Sequence, residues 1–380
     1  MKIAVLFSGD MENLSLGGID RYLKSIISIF DNDEITIFGT GIHGQVIIGK
    51  KYKKEYNGKK YAFIPISDDK RRPLSIYYLI NEFRYIKKFS TFDYIYIQRI
   101  EYTLPFLLSE EKKKIIQIIH GSSKYSNIFF GRILGSIHLL MEKIAISIAP
   151  VTFIILNREE FGVPYYKKKY PKQADRIFYT YNPINTNVFC KKNKYECKTR
   201  THIFVDNKIE IYVGRLEDDP KRVLKIPYIC RELNNLGQKC TFLIVGDGKD
   251  KEAMRRKISE LDLCSQFVFI GYIEDINLIA DYYNISDIAI NISRFEGTCT
   301  SNLEAIACGI PVLSTDVGDI REVVKNKMNG IIIPNDEDNL VKNAAQALNQ
   351  ALQVPVSMSD EYMKYSAEEV GKLLKKNFFY

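Results

Sequence analysis

This sequence predicts an α/β protein built as two doubly wound, Rossmann-like domains facing each other across a cleft. Short apolar runs alternate with segments of helical periodicity, the pattern of a parallel sheet covered by helices. The alternation occurs in both halves, and at 380 residues the chain exceeds the roughly 100–200 residues of a usual domain. Ligands of such folds sit beyond the carboxyl ends of the strands, so function is expected in the loops that follow strands.

In the first half "KIAVLF" (2–7) reads as a buried strand, and "GGIDRYLKSIISIF" (17–30) places Ile19, Tyr22, Leu23, Ile26, Ile27 and Phe30 at helical spacing. Further strands are expected in "EITIFG" from Glu34, "DYIYIQ" from Asp93 and "KIIQIIH" from Lys114. The second half follows the same grammar more plainly. Strands "KIEIYVG", "CTFLIVG", "FVFIG", "DIAINIS" and "IPVLST" alternate with helices "VLKIPYICRELNNLG", "KEAMRRKISELDL", "INLIADYYNIS", "SNLEAIACG" and "IREVVKNKM". Gly237 and Gly309 stand where helix C-caps favour glycine. The polar stretch 181–202 has no periodicity and holds the linker, which gives domains at 1–190 and 191–360. The helical-looking 361–380 is a candidate to pack back on the first domain.

Hydrophobic residues make up 46% and charged residues 26% of the chain, as in ordinary soluble proteins. The longest apolar stretch, 144–156, has Pro150 inside it and is well short of the roughly 20 residues that span a bilayer. The apolar run at the N-terminus is too short for a secretory segment, so a cytoplasmic protein is expected. Seven cysteines form no C-x-x-C pair, which argues against a zinc site and against a disulfide framework. The net charge of +8 divides unevenly: residues 1–200 hold 33 Lys+Arg against 19 Asp+Glu (+14), and 201–380 hold 21 against 27 (−6). The basic clusters of the first half, interleaved with tyrosine, suit an anionic membrane surface or nucleic acid, with a solvated lysine-rich face as the plainer alternative.

Several strand-end loops carry chemistry. Gly17 and Gly18 leave backbone bare where a helix begins, open to an anion or a sugar, although taken alone a plain turn glycine is the commoner explanation. "YVGRLEDDPKRVL" puts Arg215 directly after a strand and Lys221 six residues on, two cations that suit a diphosphate. His120 ends a strand and could donate to a sugar hydroxyl or phosphate. In "ISRFEGTCTSNLEAIACGIPV" (292–312) Glu296 lies in a loop and Glu304 about one turn into the next helix, whose free N–H groups suit a departing phosphate. Ser301 to Glu304 also matches the S-x-x-E capping box, and from periodicity alone the cap ranks first. The D-x-D pairs at Asp31/Asp33 and Asp336/Asp338 are polar turns outside the cleft and are set aside as metal sites.

Taken together, these segments resemble the retaining glycosyltransferases of the GT-B fold, family 4, also called glycosyl transferases group 1. "RFEGTCTSNLEAIACGIPVLSTDVGDIREVV" looks like that family's E-x7-E motif, and "YVGRL" with Lys221, "FLIVGDG", "FVFIG" and "ISDIAINIS" follow in family order. "GGIDRY", "IIHGSS" and "YNPINTNVF" extend the resemblance more thinly into the first half.

The resemblance implies that Arg215 and Lys221 hold a donor diphosphate and Glu304 its ribose. Glu296 and the backbone of Gly297, Thr298, Cys299, Thr300, Ser301, Asn302 and Leu303 would hold donor sugar and phosphates. Tyr272 and Ile273 would lie by the base, and Gly17, Gly18 and His120 would approach from the other domain. The chain departs from the family at Arg222, Cys299 and Asp319, where glycine is frequent.

The expected reaction is metal-independent, retaining transfer of a sugar from a UDP- or GDP-sugar to a glycan or lipid-linked glycan, in bacterial surface polysaccharide biosynthesis. Glu296, His120, Arg215 and Lys221 would be its catalytic residues. No cofactor and no nucleic-acid partner is expected, and the basic half would attach the protein to the inner face of the cell membrane. A nucleotide-sugar epimerase of the same fold and a non-catalytic nucleotide-sugar-binding protein are the alternatives.

Overall fold

The computed structural model describes residues 1–9, 18–30, 32–56, 58–70, 73–325, 328–353 and 360–377. The chain divides into two compact units, Met1–Pro183 with Ala367–Tyr380, and Ile184–Ser366. The sequence-based boundaries were 190/191 and 360/361.

The first unit contains β1 (Lys2–Leu6), α1 (Gly18–Ile29), β2 (Glu34–Gly41), β3 (Tyr52–Tyr56), β4 (Lys59–Asp68), α2 (Leu74–Glu82), β5 (Tyr94–Ile97), β6 (Ile115–Ile119), α3 (Ser126–Ile148), β7 (Val151–Ile154), α4 (Val163–Lys169) and β8 (Ile177–Tyr179). Its eight strands are ordered β3-β4-β2-β1-β5-β6-β7-β8. Among the described residues only β3 runs antiparallel, pairing Tyr52 with Phe63 and Tyr56 with Lys59. The basic cluster "KYKKEYNGKK" thus supplies the edge strand β3 and the start of β4, and lysines on an edge strand also discourage pairing with another chain. Tyr22, Leu23, Ile26, Ile27 and Phe30 of the first helical segment are all buried, as their spacing predicts, and the Tyr22 hydroxyl lies 2.6 Å from that of Tyr96 on β5.

The second unit contains α5 (Lys194–Thr201), β9 (Lys208–Val213), α6 (Asp218–Lys221), α7 (Ile226–Asn235), β10 (Cys240–Val245), α8 (Lys251–Glu260), β11 (Phe267–Gly271), α9 (Ile276–Ile285), β12 (Ile288–Asn291), α10 (Thr300–Ala307), β13 (Val312–Thr315), α11 (Ile320–Val323), β14 (Gly330–Ile333) and α12 (Leu340–Gln353). Its parallel sheet is ordered β11-β10-β9-β12-β13-β14. The chain then re-enters the first unit as α13 (Ala367–Lys376). Val370 and Leu374 of α13 share a buried cluster with Tyr22, Leu23 and Ile26, and Gly371 lies so close to α1 that a Cβ there would meet the Ile29 carbonyl oxygen at 2.6 Å. Lys375 pairs with Asp33 at 2.6 Å, so the second aspartate of the first D-x-D pair serves as a helix–loop contact.

One sequence-based boundary and one cap are corrected. The segment "IREVVKNKM" was expected to be one helix, but α11 ends at Val323 because the Asn329 side-chain amide donates to the Val323 carbonyl at 2.9 Å, while its Oδ1 accepts from the Lys325 N–H at 2.7 Å. The helix after β12 begins at Thr300, within the expected range, with Cys299 as its N-cap. Ser301 is then the second helical residue and not the cap residue that the S-x-x-E match requires.

Glu210, midway along β9 and opposite Phe242 and Ile288, is fully buried. Burial pushes its pKa from 4.5 up to about 8, with the neighbouring Cys240 thiol pulling the other way. A carboxyl raised in the folded state gives stability that is complete below the unfolded value of 4.5 and is lost as pH rises toward 8. Glu210→Gln should therefore flatten the decline in melting temperature between pH 4.5 and 8, read by thermal unfolding across that range.

Candidate functional site

Parallel strands deliver their following loops to one edge of the second unit, and four of those loops are pinned together there. The loop after β9 contacts the loop after β12 through Arg294 N–H to the Pro220 carbonyl at 2.8 Å. The loop after β12 contacts β13 and its following loop through Thr315 Oγ1 to the Ser293 carbonyl at 2.6 Å and Asp319 N–H to the Gly297 carbonyl at 3.2 Å. The loop after β10 supports the first of them, Leu216 N–H donating to the Asp247 carbonyl at 2.9 Å and Asp250 N–H to the Leu216 carbonyl at 3.0 Å. These approaches require bare backbone. A Cβ on Gly246 would sit 1.9 Å from the Gly214 carbonyl oxygen, and one on Gly318 only 1.7 Å from that of Gly297.

At the junction the Lys221 ammonium forms an ion pair with Glu296 Oε1. The Ser293 hydroxyl lies 2.7 Å from both that same oxygen and Asn291 Oδ1, so its single proton is shared between two acceptors. Burial works against charge on Lys221, but the neighbouring Cys299 and Glu296 outweigh it and raise the ammonium pKa, while Arg215 opposes them. The Tyr212 hydroxyl donates to the Arg215 carbonyl at 2.8 Å, fixing the backbone of a residue whose side chain is half exposed and paired with Glu217 at 2.9 Å. Beside the pair a small recess is lined by Glu296, Thr298, Cys299, Asn302, Ser314 and Asp319, among others.

Arg222 is the departure that the geometry explains. Its backbone is left-handed (φ 54°, ψ 33°), the conformation that favours glycine, yet its guanidinium is buried. It donates to Asn335 Oδ1 at 2.6 Å and pairs with Glu337 at 2.8 Å. Asp319, another departure, is fully buried beside Gly318.

The second unit thus brings Arg215, Lys221, Glu296, Gly297, Thr298 and Cys299 together, followed by Thr300, Ser301, Asn302 and Leu303 in the first turn of α10. Glu304 lies one turn in and is buried; the Tyr283 hydroxyl donates to its Oε2 at 3.4 Å and is 3.2 Å from the Ser301 carbonyl. Tyr272 and Ile273 follow β11, the edge strand two positions from β9. In the first unit His120 follows β6, its ring edge-on to Tyr22 at 4.8 Å. Burial lowers its pKa to about 3, so the imidazole is neutral at physiological pH, and Nε2 has no hydrogen-bond partner among the described residues. Gly18 opens α1, and Gly17 lies outside the described residues. Sequence reasoning missed Ser293, Tyr212 and Tyr283, for which hydroxyls at strand ends are too common a signal.

Residues 194–370 match the family model for glycosyl transferases group 1. The match takes in 177 of the 380 residues, a little under half of the chain. The matched segment includes all the pinned strand-end loops of the second unit. An O-antigen biosynthesis glycosyltransferase of Escherichia coli, WbnH, is 27% identical over 228 residues, 60% of this chain and 58% of that protein. An uncharacterised glycosyltransferase of Methanocaldococcus jannaschii is 26% identical over 209 residues, 52% of each chain. The chain spans about half the length of these curated relatives. Among solved structures, Anabaena HepE in complex with UDP and glucose superposes with a TM-score of 0.69 at 13% identity, covering 99% of both chains. That likeness shows the fold, a GT-B architecture of two Rossmann-like domains.

The tightest constraint on this site is the approach of Gly318, at φ +52°, to Gly297. Gly318→Ala should force the two loops apart and destabilise the protein by about 1–3 kcal/mol. Chemical denaturation reads the stability loss, and protease sensitivity should rise around residues 293–300.

Proposed function

We propose that this chain moves a sugar from a nucleoside diphosphate sugar to a hydroxyl acceptor with retention at the anomeric carbon. The observation that carries the reading is the Lys221–Glu296 pair, set in the loop that leads into the first turn of α10 with the Arg215 charge beside it. An incoming diphosphate offers Lys221 and Arg215 oxygen partners and frees Glu296 to accept hydrogen bonds from sugar hydroxyls. The unsatisfied N–H groups of a first helical turn add positive potential toward the phosphates. Glu304 takes the ribose, and Tyr272 and Ile273 flank the base.

In the reaction the bond from anomeric carbon to phosphate oxygen breaks as the acceptor oxygen bonds to the same face, and the acceptor's proton passes to the departing phosphate oxygen. Positive charge grows on the sugar and negative charge on the leaving group. Arg215 and Lys221 stabilise the latter without a metal ion. His120, neutral at the operating pH, acts as a hydrogen-bond partner to the substrate and not as a cation.

The WbnH relationship supports a place in bacterial surface polysaccharide biosynthesis, with a glycan or lipid-linked glycan as acceptor. The UDP found in the HepE structure supports a nucleotide-sugar donor of the UDP type, with GDP-sugars the second choice. The +14 balance of residues 1–200 supports peripheral attachment to the anionic inner face of the membrane.

A thermal-shift screen against UDP- and GDP-sugars should show stabilisation by one nucleotide class. With that donor, Arg215→Ala should lower transfer about 100-fold and weaken donor affinity. Full transfer with unchanged affinity would remove the proposal, and an inverted anomer in the product's proton spectrum would remove the retaining mechanism.

A further inference from the structure

α2 and α3 of the first unit each carry apolar side chains on the face turned away from the core. On α3 the buried side is formed by Gly135, Glu142, Ala145 and Ile146. Ile133, Ile137 and Leu140 recur at i, i+4 and i+7 on the opposite side and are exposed, Ile133 at 78%. On α2 the buried residues are Tyr78 and Glu82, and Ile76, Ile80 and Phe83 repeat the same exposed spacing. A surface helix normally presents polar residues outward. The 3₁₀ helix Ile100–Phe106 packs against both α2 and α3, and it leads into Leu108, which is 97% exposed. The apolar residues therefore sit on neighbouring elements of one unit.

The charge on these helices is one-sided. The acids within α2 and α3, Glu82 and Glu142, are both buried, and Glu142 is held by Lys169 at 2.8 Å and by the Tyr166 and Tyr170 hydroxyls at 3.1 and 2.6 Å. What α3 shows outward beside its apolar ridge is Arg132 and Lys143, and the turn after α2 shows Arg84, Lys87 and Lys88. In the segment between the helices Glu101, Glu110 and Glu111 are each paired, with Arg99, Lys113 and Lys114 respectively. Apolar ridges beside exposed cations match a bilayer interface, where side chains enter the acyl boundary and Lys or Arg reach anionic headgroups.

We infer that α2, α3 and the Leu107–Leu108 corner form an insertion surface for an anionic lipid bilayer. This deepens the membrane attachment proposed above by naming its residues. The attachment joins charge with shallow burial of Ile76, Ile80, Phe83, Leu108, Ile133 and Ile137.

The test is co-sedimentation of the full chain with phosphatidylglycerol-containing vesicles and with pure phosphatidylcholine vesicles, at low and high salt. Binding should favour the anionic vesicles and fall with salt. Ile133→Ser with Ile137→Ser should weaken it at least about tenfold, and Arg84→Glu with Lys87→Glu should abolish the preference for anionic lipid. Far-UV circular dichroism checks that the exposed serine pair keeps the fold, and Leu140→Ser alone reads the same surface if it does not. The donor-induced thermal shift should be unchanged in these variants, so loss of vesicle binding is separable from failure of the transfer reading. Absence of wild-type binding to anionic vesicles, or serine variants that bind as wild type, would overturn the inference. So would a dimer, seen by light scattering, that the serine pair dissociates while wild type ignores vesicles; the face would then cover a second copy.

Discussion

One buried guanidinium organises the edge of the second unit. Arg222 leaves the loop after β9 in a left-handed turn and runs inward to Asn335 and Glu337 beyond β14, within 3.5 Å of the Ile292 and Ser293 carbonyl oxygens after β12. It ties together loops from three strands that are not all neighbours in the sheet. A buried cation without such partners would be strongly unfavourable, so its satisfaction forces these loops into one arrangement. Lys221, next to it in sequence, is thereby delivered to Glu296. The position tolerates a left-handed arginine because the hydrogen bonds offset a modest backbone cost.

Much of this architecture was legible in the sequence because parallel strands buried on both faces leave continuous apolar runs. Every strand read in "KIEIYVG", "CTFLIVG" and "DIAINIS" is present, and the Gly237 and Gly309 caps adopt φ near +80°. The β3–β4 hairpin was not read, although Asn57-Gly58 between tyrosine-flanked runs is a strong hairpin signal; the lysines drew attention to charge instead. The short α11 was illegible for a different reason. Its end is set by one asparagine side chain from residue 329, a contact that periodicity cannot register.

The site was half legible. Lys221 and Glu296 were named from their places after strands, and they do meet. The capping-box reading of Glu304 failed because the helix starts two residues early, on a cysteine cap that propensity would not choose. Arg222 was visible only as a departure from a glycine, and its inward course depends on Asn335 and Glu337, more than a hundred residues on. Outward-facing apolar residues on α3 were likewise hidden, since a helix that is apolar all round gives no sign of which side is covered.

The second unit is in effect an insertion into the first. The chain leaves at Pro183 and returns at Ala367, and the two crossings run side by side, with the Ile184 N–H donating to the Tyr365 carbonyl at 2.8 Å. The ends of this 183-residue loop therefore lie adjacent, so holding them together is a local matter of one short bridge and not of the first unit's fold. The segment is built like a cassette, and removing α13 would expose the first unit's core while leaving the cassette's own core whole.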